Sequence, residues 1–188
     1  MLWLSRNPLA LARGGCQGLQ DKEEAQIVAG DGTGENLKGL ITAATSYAST
    51  YDASTDTLLD RLANAILQVR LAHMTANGII MHPSDVNALR KIKDDDGRYI
   101  FADPGSASII APWGVPIVES MNISAGHFCV GAFNQAAQLF DRQSATVDLS
   151  EHNEDNFVKN MVTIRVEERL ALAIYRPEAI IYGAVSAS

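Results

Sequence analysis

The sequence predicts an α+β fold, and three observations carry that expectation. Residues 161–175, MVTIRVEERLALAIY, alternate. Val162, Ile164, Val166, Leu170, Leu172 and Ile174 are apolar, whereas Thr163, Arg165, Glu167 and Arg169 are polar. That period of two marks a half-buried strand. Residues 56–73 instead carry Leu58, Leu59, Leu62, Ile66 and Val69 in one helical stripe. Short strand-like and helix-like segments intermingle elsewhere, with no internal repeat and no low-complexity segment.

In chain order, residues 1–18 have no clean period and contain Gly14, Gly15 and Gly18, so they are left unassigned. Residues 19–29 are helix-compatible, with Gly30 as the stop. GDGTGENLKGL, residues 30–40, is a turn-rich loop. The helix over 56–73 would be capped by Asp56 or Thr55. Asn77-Gly78 then turns the chain into a short buried strand, GIIMHP, ended by Pro83. Ser84 is the expected cap of a helix over 85–94, built on Val86, Leu89 and Ile92 and ended by Asp94-Asp95-Asp96-Gly97. Short strands are expected over 113–118, 127–133, 137–140 and 145–149, with 150–156 as a loop or hairpin tip. The long strand runs up to Pro177, and 179–185 is a final strand.

At about 3.3 Å per residue, the segment 161–175 spans roughly 50 Å, against about 17–20 Å for an ordinary strand. Such a length suits an element that bridges sub-structures or lies along a neighbouring subunit. Its charged face, Arg165–Glu167–Arg169, holds both signs, which fits a protein partner better than a nucleic acid.

Composition narrows the function. The chain has 188 residues, 47% hydrophobic and 20% charged, enough to bury a sizeable core. Fifteen lysines and arginines against 22 aspartates and glutamates give a net charge of −7, which argues against broad nucleic-acid binding. Cys16 and Cys129 are far apart and have no metal-type spacing, so a reducing compartment with free, mostly buried thiols is expected. No apolar run approaches the ~20 residues of a membrane span. Arg6, Asn7 and Pro8 interrupt what would be a signal peptide's apolar core.

No catalytic or metal motif emerges. His73, His82, His127 and His152 lack zinc-helix spacing, and there is no Cys-x-x-Cys or Gly-x-Ser-x-Gly. The glycines Gly30, Gly32 and Gly34 invite a phosphate-loop reading. However, no Gly-Lys-Ser/Thr follows and the dinucleotide spacing is wrong. Started at Asp94 or at Asp96, the acidic run lacks the glutamate that closes a calcium loop. Glu167 and Glu168 point to opposite faces of a strand and cannot act jointly as acid and base. Glu168 falls on the apolar face, where it is expected to meet one of Arg142, Arg165, Arg169 or Arg176. The expectation is therefore no enzyme, no cofactor and no metal.

The segments GDGTGENLKGL, GIIMHPSDVNALRKIKDDDGRYIF, WGVPIV, FCVGAFNQAAQLFDR and DNFVKNMVTIRVEERLALAIYRPEAII occur in this order. Together they resemble the major capsid proteins of tailed bacteriophages, of the Hong Kong 97 type, over residues 19 to about 186. The resemblance implies a phage or prophage shell subunit that forms pentamers and hexamers of itself, found in the virion or in the host cytoplasm. It binds no specific nucleic-acid sequence and no membrane. It assigns 30–140 and 178–188 to an axial domain, 141–177 to the long strands of a peripheral domain, and 19–29 to the end of that domain's spine helix. Arg165, Glu167 and Arg169 would then face a neighbouring subunit, with Asn156 and Lys159 in the same interface.

Some family members crosslink a lysine to an asparagine with a carboxylate as base. Asn160 and Glu167 match the asparagine and the carboxylate, while the lysine's hairpin loop has no counterpart, so the crosslink is expected to be inactive. The family's N-terminal arm, hairpin loop and most of the spine helix are likewise unmatched ahead of residue 19. A truncated, assembly-defective prophage product is the expectation that follows. Two alternatives remain beside it: an encapsulin-like compartment shell protein, and a small-molecule binding module built on the glycine loop 30–34.

Overall fold

The structure is a computed structural model that describes residues 8–53, 56–94, 96–100, 111–150, 152, 156–159 and 162–185. Its elements begin with helix α1 (Pro8–Ala29), α2 (Leu40–Ala43), strand β1 (Thr45–Ser46), α3 (Leu58–Leu71), β2 (Gly78–Met81) and α4 (Pro83–Arg90). They continue with β3 (Ile117–Glu119), β4 (His127–Gly131), α5 (Phe133–Ala136), β5 (Ala137–Ser150), α6 (Asn156–Lys159), β6 (Thr163–Ile174) and β7 (Ile180–Ala184). Mixed helix and sheet bear out the α+β expectation.

Among the described residues there are two sheets. One has five strands in the order β1-β7-β4-β2-β3, with β4 antiparallel to both β2 and β7. The other is the antiparallel pair β5–β6. The main core lies between α3 and the five-stranded sheet. Leu62, Ala65 and Val69 are fully buried there with Ile79, Met81, Phe128, Val130 and Ile180. Each of these side chains larger than alanine contributes about 1.5–3 kcal/mol by leaving water.

Several boundaries move for identifiable reasons. α1 starts at Pro8 and runs through Gly14, Gly15 and Gly18, where the sequence shows no period. α3 is capped by Thr57, not by Asp56 or Thr55: the Thr57 amide donates to the Asp60 carboxylate at 2.9 Å, and the Thr57 side chain accepts from the Asp60 amide. Only a residue with a carboxylate three positions on can close this reciprocal box. Asp56 instead accepts from the Ala53 amide, and Thr55 lies outside the described residues. α4 begins two residues before the expected start, with His82, not Ser84, as its cap. Pro83 opens this helix rather than merely ending the strand, because its fixed φ and missing N–H suit the first helical position. α4 stops at Arg90, and the Asp94 carboxylate folds the following turn by accepting from the amides of Asp96 and Arg98.

The expected strand at 113–118 divides into a single turn of 3₁₀ helix, Pro112–Gly114, and β3. β4 ends at Gly131, so Phe133 belongs to α5. The two short strands expected at 137–140 and 145–149 are one strand, β5, of 14 residues. Its pairing with β6 shifts register between Asp141 and Gln143 and again before Thr146. A bulge changes the phase of the inward–outward alternation, so a single period is not visible across it. The expected loop at 150–156 falls largely outside the described residues.

Candidate assembly surface

β6 presents two chemically different faces. Its even residues are half-buried and its odd residues from Thr163 to Ala171 are exposed. Directly opposed residues of an antiparallel pair share a face. Register therefore places Leu139 with Leu172, Asp141 with Leu170, Val147 with Val166 and Leu149 with Ile164 on the inner side. α1 packs against β6, whose inner residues are half-buried, while Leu139, Val147 and Leu149 of β5 stay exposed. The outer side holds Gln143 opposite Arg169, Thr146 opposite Glu167 and Asp148 opposite Arg165.

The outer charges are partly satisfied within the chain. Arg165 Nη2 lies 2.8 Å from Asp148 Oδ2 and 3.3 Å from Glu167 Oε1. The hydrogen bond to Asp148 and the charges of Glu167 and Asp148 push the guanidinium's pKa upward. Arg169 has no ion-pair partner among the described residues. Lys159 is exposed on α6. Asn156 is buried: its amide donates to Thr163 Oγ1 at 2.6 Å and to the Ser150 carbonyl at 3.4 Å, joining the ends of β5 and β6. Asn160 lies outside the described residues.

Glu168 corrects one expectation. It sits on the inner face as the alternation requires, but no arginine reaches it among the described residues. Arg165 and Arg169 point to the other face, exposed Arg142 sits at the register shift, and Arg176 follows the strand's end. Burial raises the Glu168 carboxyl's pKa, and the neighbouring carboxylates Glu23 of α1 and Asp141 of β5 raise it further. Asp148, Asp141 and Glu23 are the partners that sequence reading missed. Fixing the β5–β6 register from the 150–163 turn would have placed Asp148 across from Arg165.

The glycine loop is closed on itself. The amide of Gly30 donates to Gln26, that of Gly32 to Leu37 and that of Gly39 to Gly30. Asp31 accepts from the Thr33 amide and hydroxyl and from Asn36. The Thr33 hydroxyl, the Thr33 amide and Asn36 hold the Asp31 carboxyl down at about 2. Gly32 and Gly34 take φ values of 71° and 62°, and a Cβ on Gly30 would collide with the Leu37 carbonyl. A carboxylate at the loop's centre and amides already engaged leave no cradle for a phosphate. The glycines serve the turn.

A long two-stranded sheet lies against a 22-residue helix, beside a five-stranded sheet with its own core. The chain belongs to the phage capsid family, whose family model matches residues 16–185. It is 48% identical over 169 residues to the major capsid protein of Enterobacteria phage HK97. That match covers 90% of this chain and 44% of the relative, so the chain spans less than half of that protein's length.

Solved structures share the fold at lower identity. The capsid of an empty GTA particle, computed with C5 symmetry, has a TM-score of 0.73 at 18% identity, covering 96% of this chain and 67% of that one. Gordonia phage Cozz gives 0.72 at 15%, covering 98% and 66%. A virus-like particle from Pyrococcus furiosus gives 0.60 at 20%, covering 88% and 64%.

Proposed function

We propose that this chain is a structural subunit of a phage capsid shell that associates with copies of itself. The outer face of β6 is then one of its contact surfaces. The observation that carries this reading is the exposed row Arg165, Glu167 and Arg169 on β6, the strand whose other face packs against α1. A two-stranded sheet is marginal alone, and a neighbour laid on its open face completes it. Lys159 is exposed on α6, and Asn156 holds the strand ends together.

A ring such as the C5-symmetric one named for the GTA capsid has heterologous contacts, so each subunit offers two unlike surfaces. The mixed charges of β6 suit a contact between like copies better than a uniformly charged strip would, given the net charge of −7. Glu167 is already engaged by Arg165, so it acts here as an ion-pair residue rather than as a base for crosslinking. No enzymatic activity is proposed. A denaturing gel of aged, pure protein is expected to show a single band, and a covalent ladder would contradict this. Self-association, followed by electron microscopy and sedimentation, tests the reading. A chain that stays monomeric up to high concentration would contradict it.

A further inference from the structure

α1 carries a carboxylate in the middle of its packed face. Leu19, Glu23 and Ile27 recur every four residues and are half-buried, while Asp21, Lys22 and Glu24 are exposed. β6 does the same: Glu168 is half-buried between Val166 and Leu170, on the side of the strand that packs against α1. Asp141 is a third carboxylate, opposite Leu170 on the inner side of the hairpin. The β5–β6 ladder steps past Glu168, pairing Gln143 with Arg169 and Thr146 with Glu167. At this irregular step Ser144 Oγ donates back to Asp141 at 3.2 Å. Three elements thus each bring one carboxylate to a single interface.

The charged neighbours on these elements stand elsewhere. Arg165, Glu167 and Arg169 are on the outer side of β6, and Arg142 is exposed at the register shift. Burial, then the charge of Glu23, then that of Asp141 raise the Glu168 carboxyl's pKa. α1 also reaches the other sheet: Glu24, next to Glu23, accepts from Ser120 Oγ at 2.6 Å, and Val28 is buried. α1 is therefore the joint between the hairpin and the five-stranded sheet.

We infer that the packing of α1 against the β5–β6 hairpin is a proton-operated joint, looser when Glu168 is ionised beside Glu23 and Asp141 and closed when Glu168 takes up a proton. Like charges held together in a partly desolvated interface repel, and one proton on Glu168 removes its repulsion with both neighbours. A raised folded pKa fixes the sign. The penalty is absent below the ordinary value of 4.5 and develops as pH rises through the folded value. Arg61–Asp52 works in the opposite sense, since its contribution is lost in acid. Between neutral pH and the ordinary carboxylate range, the joint tightens while the main core holds. The joint lies within one chain and operates whether or not copies assemble.

Hydrogen exchange of the full chain, read by mass spectrometry at pH 7 and about pH 5 with the intrinsic pH dependence divided out, tests this. Residues 19–29 and β6 should exchange roughly two- to fivefold more slowly at the lower pH, the range that relief of one like-charge contact gives. α3 should not change. Glu168→Gln should show the slower rate already at pH 7 and lose most of the pH response, whereas Glu167→Gln, on the outer side, should keep it. The wild-type comparison needs no variant: α1 that exchanges equally at both pH values, or faster in acid, overturns the inference. A Glu168→Gln chain with the full wild-type response overturns it too. Slowing shared equally by α3 reports whole-chain stability and also overturns it. A response that disappears on dilution comes from contacts between copies, which overturns the joint and leaves the shell reading standing.

Discussion

Glu24 and Ser120 lie 96 residues apart in sequence and share a hydrogen bond of 2.6 Å, the Ser120 hydroxyl donating to the Glu24 carboxylate. Ser120 is buried at the end of β3, and its oxygen also accepts from the Asn122 amide. This bond fastens α1, which packs against β6, to the five-stranded sheet. Ser120→Ala should cost about 1.5–3 kcal/mol, the usual size for a hydrogen bond to a charged group, as read from urea unfolding. Hydrogen exchange should speed up in α1 before it does in α3. An unchanged unfolding midpoint would show that the two units are held together elsewhere.

Arg61 and Asp52 form a buried ion pair, 3.0 Å apart, with side chains 8% and 13% exposed. Arg61 also donates to the Ala184 carbonyl and lies over the Tyr47 ring, while Tyr47 and Asn64 donate to Asp52. Burial alone would raise the Asp52 pKa; the hydrogen bonds from Tyr47, Asn64 and Arg61, with the Arg61 charge, outweigh it and hold the value down. Asp52→Ala strands a buried guanidinium and should cost about 3–5 kcal/mol. A depressed folded pKa means that this contribution is present above the ordinary carboxylate range and is lost as pH falls through the folded value. Wild-type stability should therefore fall below about pH 4, and less steeply in Asp52→Asn. Equal acid sensitivity in both proteins would contradict the assignment.

Glu168 behaves in the opposite sense. Its raised folded pKa means that its ionised form weakens the fold. That penalty is absent below the ordinary value of 4.5 and develops as pH rises through the folded value. Glu168→Gln should stabilise the chain at pH 7 by about 0.2–1 kcal/mol, the scale of like-charge relief between paired strands. The gain should vanish near pH 4. Urea midpoints at both pH values test this, and a destabilised variant at pH 7 would point to a cation partner for Glu168.

Cys129 is fully buried on β4, and burial pushes its thiol up to about 12. In a Cys16→Ser background, a thiol reagent should modify it only at the rate of unfolding. Fast labelling of the native chain would mean that the core between α3 and the sheet opens.

What the sequence disclosed depended on whether the signal was local. β6 was readable because six of the seven even positions from Val162 to Ile174 are apolar, while Arg165, Glu167 and Arg169 fall on the other side. β5 was not, because the shift at Gln143 interrupts its phase. The first half of α1 was hidden by three glycines, and the helix's packing against β6 is a tertiary fact. The start of α4 was misread because Pro83 can end a strand or open a helix, and here it does both. The ordered run of motifs disclosed the family, which the family match then showed. The outer charged row was legible from alternation, yet its partner Asp148 needed the hairpin register. The Arg61–Asp52 pair was invisible: nine residues separate the two, but neither alternation nor helical spacing relates Asp52, in the loop, to Arg61 on α3.

The central claim is self-association through the outer face of β6. Arg169 tests it cleanly, because among the described residues it has no ion pair within the chain whose loss could disturb folding. Sedimentation velocity of the wild type and Arg169→Glu at matched concentrations and low salt is the measurement. The account predicts a faster-sedimenting species for the wild type, shifted toward the monomer in the variant at equal thermal stability. Identical sedimentation of the two proteins would contradict it.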